Sequence, residues 1–275
     1  MKFSTILLSN ALFAASVLAA PRGGGLARRL EARAVRSHQS HPLIPEGSTT
    51  TKAPNGSNDT HVQYSSNWAG AVLESPPSGQ TFNQVSGVFT VPTPSAPSGA
   101  SGSSAASAWV GIDGDTYTNA ILQTGIDFTV GDDGSVSYDA WYEWYPDYAY
   151  DFDGFDISSG DVISLSVKSS SSSSGEVVIE NQTTGKQVSK TLSAPDSSST
   201  LGGQNAEWIV EDFEQGNNLV PFADFGSVTF SNAEANTGSG SVGTDGATIL
   251  DIRQNNQVLT DTTIPSSSEV TVTYE

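Results

Sequence analysis

The sequence predicts an all-β protein built as a large antiparallel β-sandwich. Short runs rich in Val, Ile, Thr and aromatic residues recur from residue 62 onward, and clusters of Gly, Asn, Asp, Pro and Ser separate them. No window carries a convincing helical stripe of apolar residues, apart from a short turn expected at 220–225. Cysteine is absent from the 275 residues, so packing has to stabilise the core without disulfides.

The first sixty residues differ in composition from the rest. An apolar run over 6–20, with small residues before Pro21, is typical of a cleaved secretory signal, so residues 1–20 are predicted to be a signal peptide. Residues 21–60 are predicted to be a basic, mostly irregular prosegment, and 61–275 the folded domain. We therefore expect a secreted, extracellular protein with no membrane association. A monomer is expected.

The net charge of −19 is distributed unevenly along the chain. Residues 21–59 carry six cations and three acidic side chains (+3), whereas residues from 60 onward carry four cations and 27 acidic side chains (−23). Such a body repels phosphates, which argues against a nucleic-acid partner. In acid, where carboxyl groups are protonated, the body would carry few positive charges and would not unfold by charge repulsion. The alternative explanation of the acidic composition is that it only aids solubility.

Twelve strands follow from the alternation of apolar and polar residues. Two low-complexity stretches, 93–106 and 169–174, are predicted to be loops, and the first could be nicked after folding. Sequons for glycosylation begin at Asn55, Asn58 and Asn181. The predicted strands span 64–73, 84–91, 107–113, 120–130, 136–145, 161–168, 176–181, 186–192, 206–213, 227–231, 247–254 and 269–274.

Several chemistries are excluded by residue content. The histidines His38, His41 and His61 all precede the first strong strand, so the body has no imidazole for a Ser-His-Asp triad, and no cysteine for a Cys-His pair. Zinc ligand sets and phosphate-binding loops are missing as well, and the acidic run 151–156 lacks the spacing of a calcium loop. No metal or cofactor is predicted. Carboxylate, amide, hydroxyl and aromatic chemistry remains.

Strand alternation collects the candidate residues on one sheet face. Four strands each have an apolar side and a second side of amide, carboxylate and tryptophan, which is typical of a sheet with an open binding groove. Gln123 is the best candidate to meet Glu207 on that face, from a neighbouring strand. The candidates on the polar side are Trp109, Asp113, Gln123, Asp127, Asp139, Trp141, Glu143, Glu207 and Glu211.

Five sequence motifs, taken together in their order along the chain, resemble those of the glutamic peptidases, or eqolisins. These are secreted acid endopeptidases found mainly in filamentous fungi. The resemblance implies a lectin-like sandwich of two large antiparallel sheets and polypeptide substrates. It also implies a catalytic dyad on Gln123 and Glu207, with Trp68 and Trp109 lining the substrate groove. The motifs are Ser66-Asn67-Trp68-Ala69-Gly70, Trp109-Val110-Gly111-Ile112-Asp113-Gly114, Leu122-Gln123-Thr124-Gly125-Ile126-Asp127, Trp141-Tyr142-Glu143-Trp144-Tyr145-Pro146 and Ala206-Glu207-Trp208-Ile209-Val210-Glu211.

The same residues suit peptide hydrolysis on chemical grounds. An ionised Glu207 can take a proton from water and return it to the leaving nitrogen, while the Gln123 amide donates to the developing oxyanion. Glu143 and Asp139 are expected to support this pair through hydrogen bonds. The alternatives are a β-sandwich glycoside hydrolase or a carbohydrate-binding module. The basic prosegment is expected to lie across the acidic groove near neutral pH and to inhibit the protein.

Overall fold

The computed structural model describes residues 38–47, 62–216 and 218–275, so the expected signal peptide, most of the expected prosegment, and Asn55 and Asn58 lie outside the described residues. All regular elements within these ranges are strands, which confirms the all-β fold class, and no helix there could span a membrane. The strands are β1 (His38–Gln39), β2 (Val62–Ser65), β3 (Trp68–Leu73), β4 (Phe82–Thr90), β5 (Ser104–Ile112), β6 (Ile121–Val130), β7 (Val136–Tyr145), β8 (Tyr150–Asp151), β9 (Val162–Ser171), β10 (Ser174–Asn181), β11 (Lys186–Ser193), β12 (Ala206–Glu211), β13 (Glu214–Gln215), β14 (Asn218–Leu219), β15 (Ser227–Thr237), β16 (Gly240–Val242), β17 (Thr248–Gln254), β18 (Gln257–Val258), β19 (Thr260–Ser266) and β20 (Glu269–Tyr274).

Two large sheets contain most of the strands. The nine-stranded sheet has the order β18-β17-β3-β12-β5-β6-β7-β8, with β2 added parallel to β17. The eight-stranded sheet has the order β11-β10-β9-β4-β15-β20-β19, with β16 paired to β15. A third, small sheet joins β1, β13 and β14. Neighbouring strands in the large sheets are antiparallel apart from the β2–β17 pair, as expected for a sandwich.

The core lies between the two large sheets. Alternate residues of each strand point into it, for example Ala106, Ala108 and Val110 of β5, while the intervening residues face outward. Fully buried Trp208 crosses this layer, and its indole Nε1 donates to the carbonyl oxygen of Ser86 in the opposite sheet at 2.8 Å. The inner face of the nine-stranded sheet is thus occupied by packing, so any site built from its polar residues must lie on the outer face.

The run 64–73 is not one strand. It breaks at residues 66–67 into β2 and β3, which pair in different directions with β17. The break is stabilised locally because the Ser65 hydroxyl accepts hydrogen bonds from the backbone amides of Asn67 (3.1 Å) and Trp68 (3.0 Å). A single run of strand-forming residues can therefore contain a corner that composition does not show.

The structure corrects three other expectations. Residues 169–171 and 174 belong to β9 and β10, because exposed serines can pair through their backbones as well as other residues do. The 93–106 loop ends earlier, where β5 begins at Ser104 in the buried layer. The turn expected at 220–225 is extended, with isolated bridges joining Phe222 to Ala105 and Asp224 to Ser95.

Candidate active site

One transverse row of polar side chains crosses the outer face of the nine-stranded sheet. Strand register pairs Glu207 of β12 with Gly111 of β5, Gly111 with Gln123 of β6, and Gln123 with Glu143 of β7. These four positions, called the polar row below, face away from the main core. All three side chains of the row are fully buried.

Gly111 lies between Glu207 and Gln123 in the polar row. Glu207 and Gln123 are not on neighbouring strands as expected, because β5 lies between them and places their Cα atoms two strand spacings, about 10 Å, apart. A Cβ atom on Gly111 would lie 3.3 Å from Oε2 of Glu207. Residue 111 adds no side chain to the gap between the carboxyl and the amide, and the Trp109 ring, from the same strand, borders that gap at 2.8 Å from the Cβ position.

Gln123 is held by its neighbour on the other side. Its amide Nε2 donates to Oε2 of Glu143 at 3.1 Å, which leaves the second amide hydrogen for another acceptor. Neither carboxyl oxygen of Glu207, nor the amide oxygen of Gln123, has a hydrogen-bond partner among the residues of the described ranges. Buried polar atoms without partners are costly, and they concentrate where a ligand is to bind.

Burial controls the ionisation of these carboxyl groups. It raises the pKa of Glu207 well above the ordinary value, and the charges of Asp113 and Asp115 raise it further. Burial likewise raises the pKa of Glu143 well above the ordinary value, and the pKa of Glu211 to about 7. In this state of the groove, all three carboxyl groups hold their protons through the acidic range.

A second row lies four residues further along the strands, and register aligns Glu211 with Ser107, Asp127 and Asp139. Glu211 Oε2 accepts a hydrogen bond from Nε1 of Trp109 at 2.8 Å. In the same region Nε1 of Trp141 donates to the Ser107 hydroxyl at 3.0 Å. Trp109 and Trp141 thus serve as hydrogen-bond donors to this row as well as apolar walls.

A second hydrophobic cluster surrounds the polar row on the outer face. Trp68 and Trp109 meet edge to face, with ring centroids 4.9 Å apart. Trp141 belongs to the same cluster, and the Trp68 indole Nε1 is buried without a partner within the described ranges. Aromatic walls around carboxyl and amide groups are typical of a substrate groove.

Asp113 has a different place from the one expected. Its carboxylate accepts backbone hydrogen bonds from residues 202–205, the strongest at 2.6 Å from Gln204 and 2.7 Å from Gly202. These bonds fix the loop immediately before β12, and so fix the position of Glu207, the second residue of that strand. Asp113 therefore supports the site from below through the backbone and adds negative charge near Glu207, without lining the groove.

Residues 38–47, called the covering segment below, lie over this face. The backbone amide of Ser40 donates to Oε2 of Glu143 at 3.2 Å, and that of His41 donates to Oε1 of Glu211 at 3.3 Å. Leu43 packs against the tryptophan cluster. The expectation of a mostly irregular segment is thus incomplete, because residues 38–39 form a strand that pairs with β13.

Histidine is not absent from the site, contrary to the expectation from chain position. His38 Nδ1 lies 2.7 Å from Oδ2 of Asp127, and its Nε2 lies 3.4 Å from the hydroxyl of Ser40. These three residues follow the order of a Ser-His-Asp triad. The serine, however, is fully buried and belongs to the same short segment as the histidine.

Comparison with known proteins decides the family. A sequence profile described as the peptidase A4 family matches residues 66–274. The chain belongs to the peptidase A4 family. It is 51% identical over 291 residues to aspergillopepsin-2 of Aspergillus niger and 40% identical over 282 residues to scytalidopepsin B of Scytalidium lignicola, with full coverage of both partners in each pair. It is therefore a glutamic-type endopeptidase.

Solved structures of this peptidase A4 family share the sandwich. A crystal structure of scytalido-glutamic peptidase with a transition state analog inhibitor has a TM-score of 0.68 at 43% identity, covering 76% of this chain and 98% of that one. Aspergilloglutamic peptidase from Aspergillus niger has a TM-score of 0.59 at 58% identity, covering 62% of this chain and 99% of that one. The two-sheet fold is thus shared with enzymes of the family.

Some members of this peptidase A4 site could not be identified from the sequence as site residues. Gly111 stood only within the motif 109–114, although its place two residues after Trp109, on the groove side of β5, could have indicated a gap. Phe213 and Glu214, beyond the end of β12, contact the covering segment, and no local pattern marks them. No group of His, Asp or Glu in the described ranges is arranged to hold a metal ion.

Proposed function

We propose that the protein is a secreted acid endopeptidase in which Glu207 and Gln123 carry out the reaction. The observation that supports this most is the polar row, where the Glu207 carboxyl, which has no partner in the described ranges, lies across Gly111 from the Gln123 amide, whose oxygen has none and whose Nε2 keeps one hydrogen free. A substrate peptide bond and one water would occupy the space between them.

Each side chain has one role in the proposed reaction. Glu207, when ionised, takes a proton from the water as that water attacks the carbonyl carbon, and later gives the proton to the leaving nitrogen. Gln123 Nε2 donates its free hydrogen to the oxyanion. Glu143 holds the other amide hydrogen, so the donor points at the reacting oxygen before the substrate arrives.

The covering segment works against this reaction. Because a protonated Glu207 cannot accept a proton from water, the buried state with its raised pKa cannot start hydrolysis in acid. Removal of the segment would expose Glu207 to solvent and lower its pKa toward the ordinary value of about 4.3. The proposed active form therefore lacks the covering segment.

The prosegment is accordingly proposed as an inhibitor of its own enzyme. The prosegment has a net charge of +3 and the body one of −23, and the backbone amides of Ser40 and His41 donate to the carboxyl groups of Glu143 and Glu211. Below the ordinary carboxyl pKa of about 4 the acidic surface of the body loses most of its negative charge, so its attraction for the basic prosegment weakens. An autoprocessing rate equal at about pH 6 and about pH 3 would contradict this role.

The dyad is tested by two substitutions with matched controls. Glu207→Gln should abolish hydrolysis of denatured casein at about pH 3, and Gln123→Ala should lower turnover by roughly 10² or more. Glu176→Gln and Gln187→Ala, which change exposed residues of the eight-stranded sheet, should leave turnover unchanged. Wild-type turnover in either dyad variant would remove the assignment.

The alternatives are separated by substrate. A glycoside hydrolase would degrade a β-glucan and a carbohydrate-binding module would degrade neither polymer, whereas the proposed enzyme degrades casein alone. In the polar row the second carboxyl, Glu143, lies three strands from Glu207, about 14 Å between Cα atoms, with an amide between them. Catalysis by Ser40 as a nucleophile, with His38 as its base, would also be excluded if enzyme lacking residues 38–47 remains active.

A mass spectrum of the protein in culture medium would test secretion and locate the mature terminus.

A further inference from the structure

The covering segment ends on a strand edge of the nine-stranded sheet. β2 pairs in parallel with β17, and its other edge is paired with the covering segment. The backbone amide of Glu46 donates to the carbonyl oxygen of Tyr64 at 2.8 Å. The backbone amide of Ser66 donates to the carbonyl oxygen of Ile44 at 2.9 Å. These two bonds belong to one short antiparallel ladder.

This ladder uses the backbone of the covering segment and leaves its side chains free. Ile44 and Pro45 are exposed, and Glu46 is half-buried. Pro45 lies opposite Ser65, between the two bonded residues, where the backbone nitrogen points away from β2. Proline therefore costs no hydrogen bond at this position. A chain of different sequence could make the same bonds.

The Asn67 side chain continues these main-chain contacts toward the polar row. Its Oδ1 accepts from the backbone amide of Ile44 at 2.9 Å, and its Nδ2 donates to the carbonyl oxygens of His41 and Pro42, both at 3.4 Å. Asn67 is buried and held in place, because Oδ1 also accepts from the Ser65 hydroxyl at 2.8 Å. A carboxamide that binds N–H and C=O groups together recognises a backbone and no particular side chain.

Arg253 adds a charged donor to the same edge. Its guanidinium lies over the ring of Tyr64, 4.4 Å from the ring centroid, and its Nη2 donates to the carbonyl oxygen of Glu46. None of the salt bridges found in the described ranges includes Arg253, although the body carries 27 acidic side chains. The guanidinium therefore binds a backbone carbonyl in the place where a carboxylate would be the ordinary partner.

Departure of the covering segment would leave this edge without partners. The carbonyl of Tyr64, the amide of Ser66, the Asn67 carboxamide and the Arg253 guanidinium would each lose a hydrogen bond described above. A strand edge with unpaired N–H and C=O groups is a template for another extended chain. The proposed active form thus offers a binding edge for polypeptide main chain.

The path of the covering segment places this edge relative to the reaction. The backbone amide of Ser40 donates to Glu143 in the polar row, whereas that of Leu43 donates to the carbonyl of Gly114, beyond the end of β5. The chain therefore passes the row between Ser40 and Leu43, and residues 44–46 follow. For a substrate that runs in the same direction, the edge lies on the C-terminal side of the cleaved bond.

We propose that β2, Asn67 and Arg253 form a docking edge for the substrate main chain on the C-terminal side of the cleaved bond. The substrate adds an antiparallel strand to β2, as residues 44–46 do in the covered state. The ligand class is an extended, unfolded polypeptide, selected by its length and its free backbone N–H groups. This inference rests on the proposed peptidase function, and it extends the substrate contact beyond the sheet face that carries the polar row.

The first test varies the length of the substrate. Quenched fluorescent peptides share one cleaved bond and one N-terminal half, and carry from about two to about eight residues after the bond. The acid-activated enzyme is assayed at about pH 3. kcat/KM should rise by roughly tenfold as the C-terminal part reaches the docking edge, because backbone hydrogen bonds are gained, and should then stay level. The gain should appear mainly as a lower KM.

The second test is a proline scan of the longest peptide, one position at a time after the cleaved bond. In the covered state Ile44 and Glu46 donate their N–H groups to Asn67 and Tyr64, whereas Pro45 has none to donate. Proline should therefore lower kcat/KM by roughly fivefold at two positions and leave it unchanged at the position between them. This two-residue period does not depend on which bond along the path is cleaved.

Arg253→Met removes the charged donor, and Lys190→Met is its matched control. Lys190 also lies over a tyrosine ring, 5.4 Å from the centroid of Tyr142, but belongs to β11 of the other large sheet. Arg253→Met should lower the ratio of kcat/KM between the longest and the shortest peptide by roughly threefold, and Lys190→Met should leave it unchanged. The ratio is taken within each variant, so a general loss of activity cancels. If Arg253→Met does not fold, the two peptide tests on the wild type decide.

Three results would overturn the docking edge: equal kcat/KM for short and long peptides, a proline scan without the two-residue period, or an unchanged length ratio in folded Arg253→Met. Equal values together with a dimer of the active enzyme in size-exclusion chromatography would assign the edge to a second copy of the chain. Failure of the peptidase function gives a different result, since wild-type enzyme would then cleave neither the peptides nor casein.

Discussion

Alanine at Gly111 should stop the reaction while leaving the fold in place. An ideal Cβ atom there would lie 3.3 Å from Oε2 of Glu207 and 2.8 Å from Cζ3 of Trp109. The methyl group would fill the space between carboxyl and amide in which water and the substrate carbonyl have to meet. Displacing reacting groups by about 1 Å costs about 10²-fold in rate. We therefore expect kcat to fall at least about 100-fold, or about 2.7 kcal/mol in the barrier.

The stability cost of Gly111→Ala should be moderate. The 2.8 Å contact is to the buried ring of Trp109 and is closer than Cβ atoms come to non-bonded neighbours in folded proteins, so the ring has to shift, and overpacking of this kind costs about 1–3 kcal/mol. Gly111 has no positive φ, so alanine fits the backbone and recovers about 0.4–1 kcal/mol through the unfolded chain. The remaining loss is well below the usual 5–15 kcal/mol of a folded domain.

Gly87→Ala is the matched control. It makes the same change in β4 of the opposite sheet, where a Cβ would lie 3.1 Å from Cδ1 of Trp208 in the core. Both variants should show a similar drop in thermal unfolding midpoint, and Gly87→Ala should keep kcat within about threefold of wild type. A folded Gly111→Ala enzyme with wild-type kcat and KM would refute the assignment of the reaction to the space between Glu207 and Gln123.

Three further outcomes are expected. Glu143→Ala should lower kcat by roughly tenfold because the Gln123 amide loses its partner, and Glu143→Gln, which keeps an acceptor, should restore most of it; equal kcat values would contradict this. Burial raises the pKa of Asp212 to about 8, so the folded state keeps a proton that the unfolded chain releases above about pH 4; the free energy of unfolding should fall between pH 4 and pH 8, and Asp212→Asn should make this fall shallower in thermal unfolding. Asn181 should carry no glycan, since it is fully buried and its Nδ2 donates to Asp161 at 2.7 Å; a glycopeptide containing this sequon in a mass spectrum would contradict that.

Strand alternation predicted the site well because it is a local property. The two-residue period assigns Gln123, Glu143, Glu207 and Glu211 to the polar side of their strands wherever the strands pair, and the structure has them there. Asp113 shows the limit of this reasoning. It has a positive φ of 69° just beyond the end of β5, so the alternation no longer applies and its carboxylate turns to the 202–205 loop.

Strand order could not be predicted in the same way. Glu207 and Gln123 were expected on neighbouring strands, but β5 lies between β12 and β6. Pairing between strands about ninety residues apart depends on the fit of whole faces, and no short pattern records it. The same holds for the covering segment, whose serine and histidine composition indicated an irregular chain, although Phe213, Asp127 and Glu143 hold it in place.

The sequence alone determined the all-β class, the acidic body after a basic leader, and the residue types available for chemistry, because composition and alternation act over a few neighbours. Its five ordered motifs also determined the family. Only the tertiary structure decided that Gly111 separates the carboxyl from the amide, and that the covering segment lies over the groove face with His38 beside Asp127. Register and packing bring together residues distant in the chain, and the energy of those contacts depends on where the whole sheet places them.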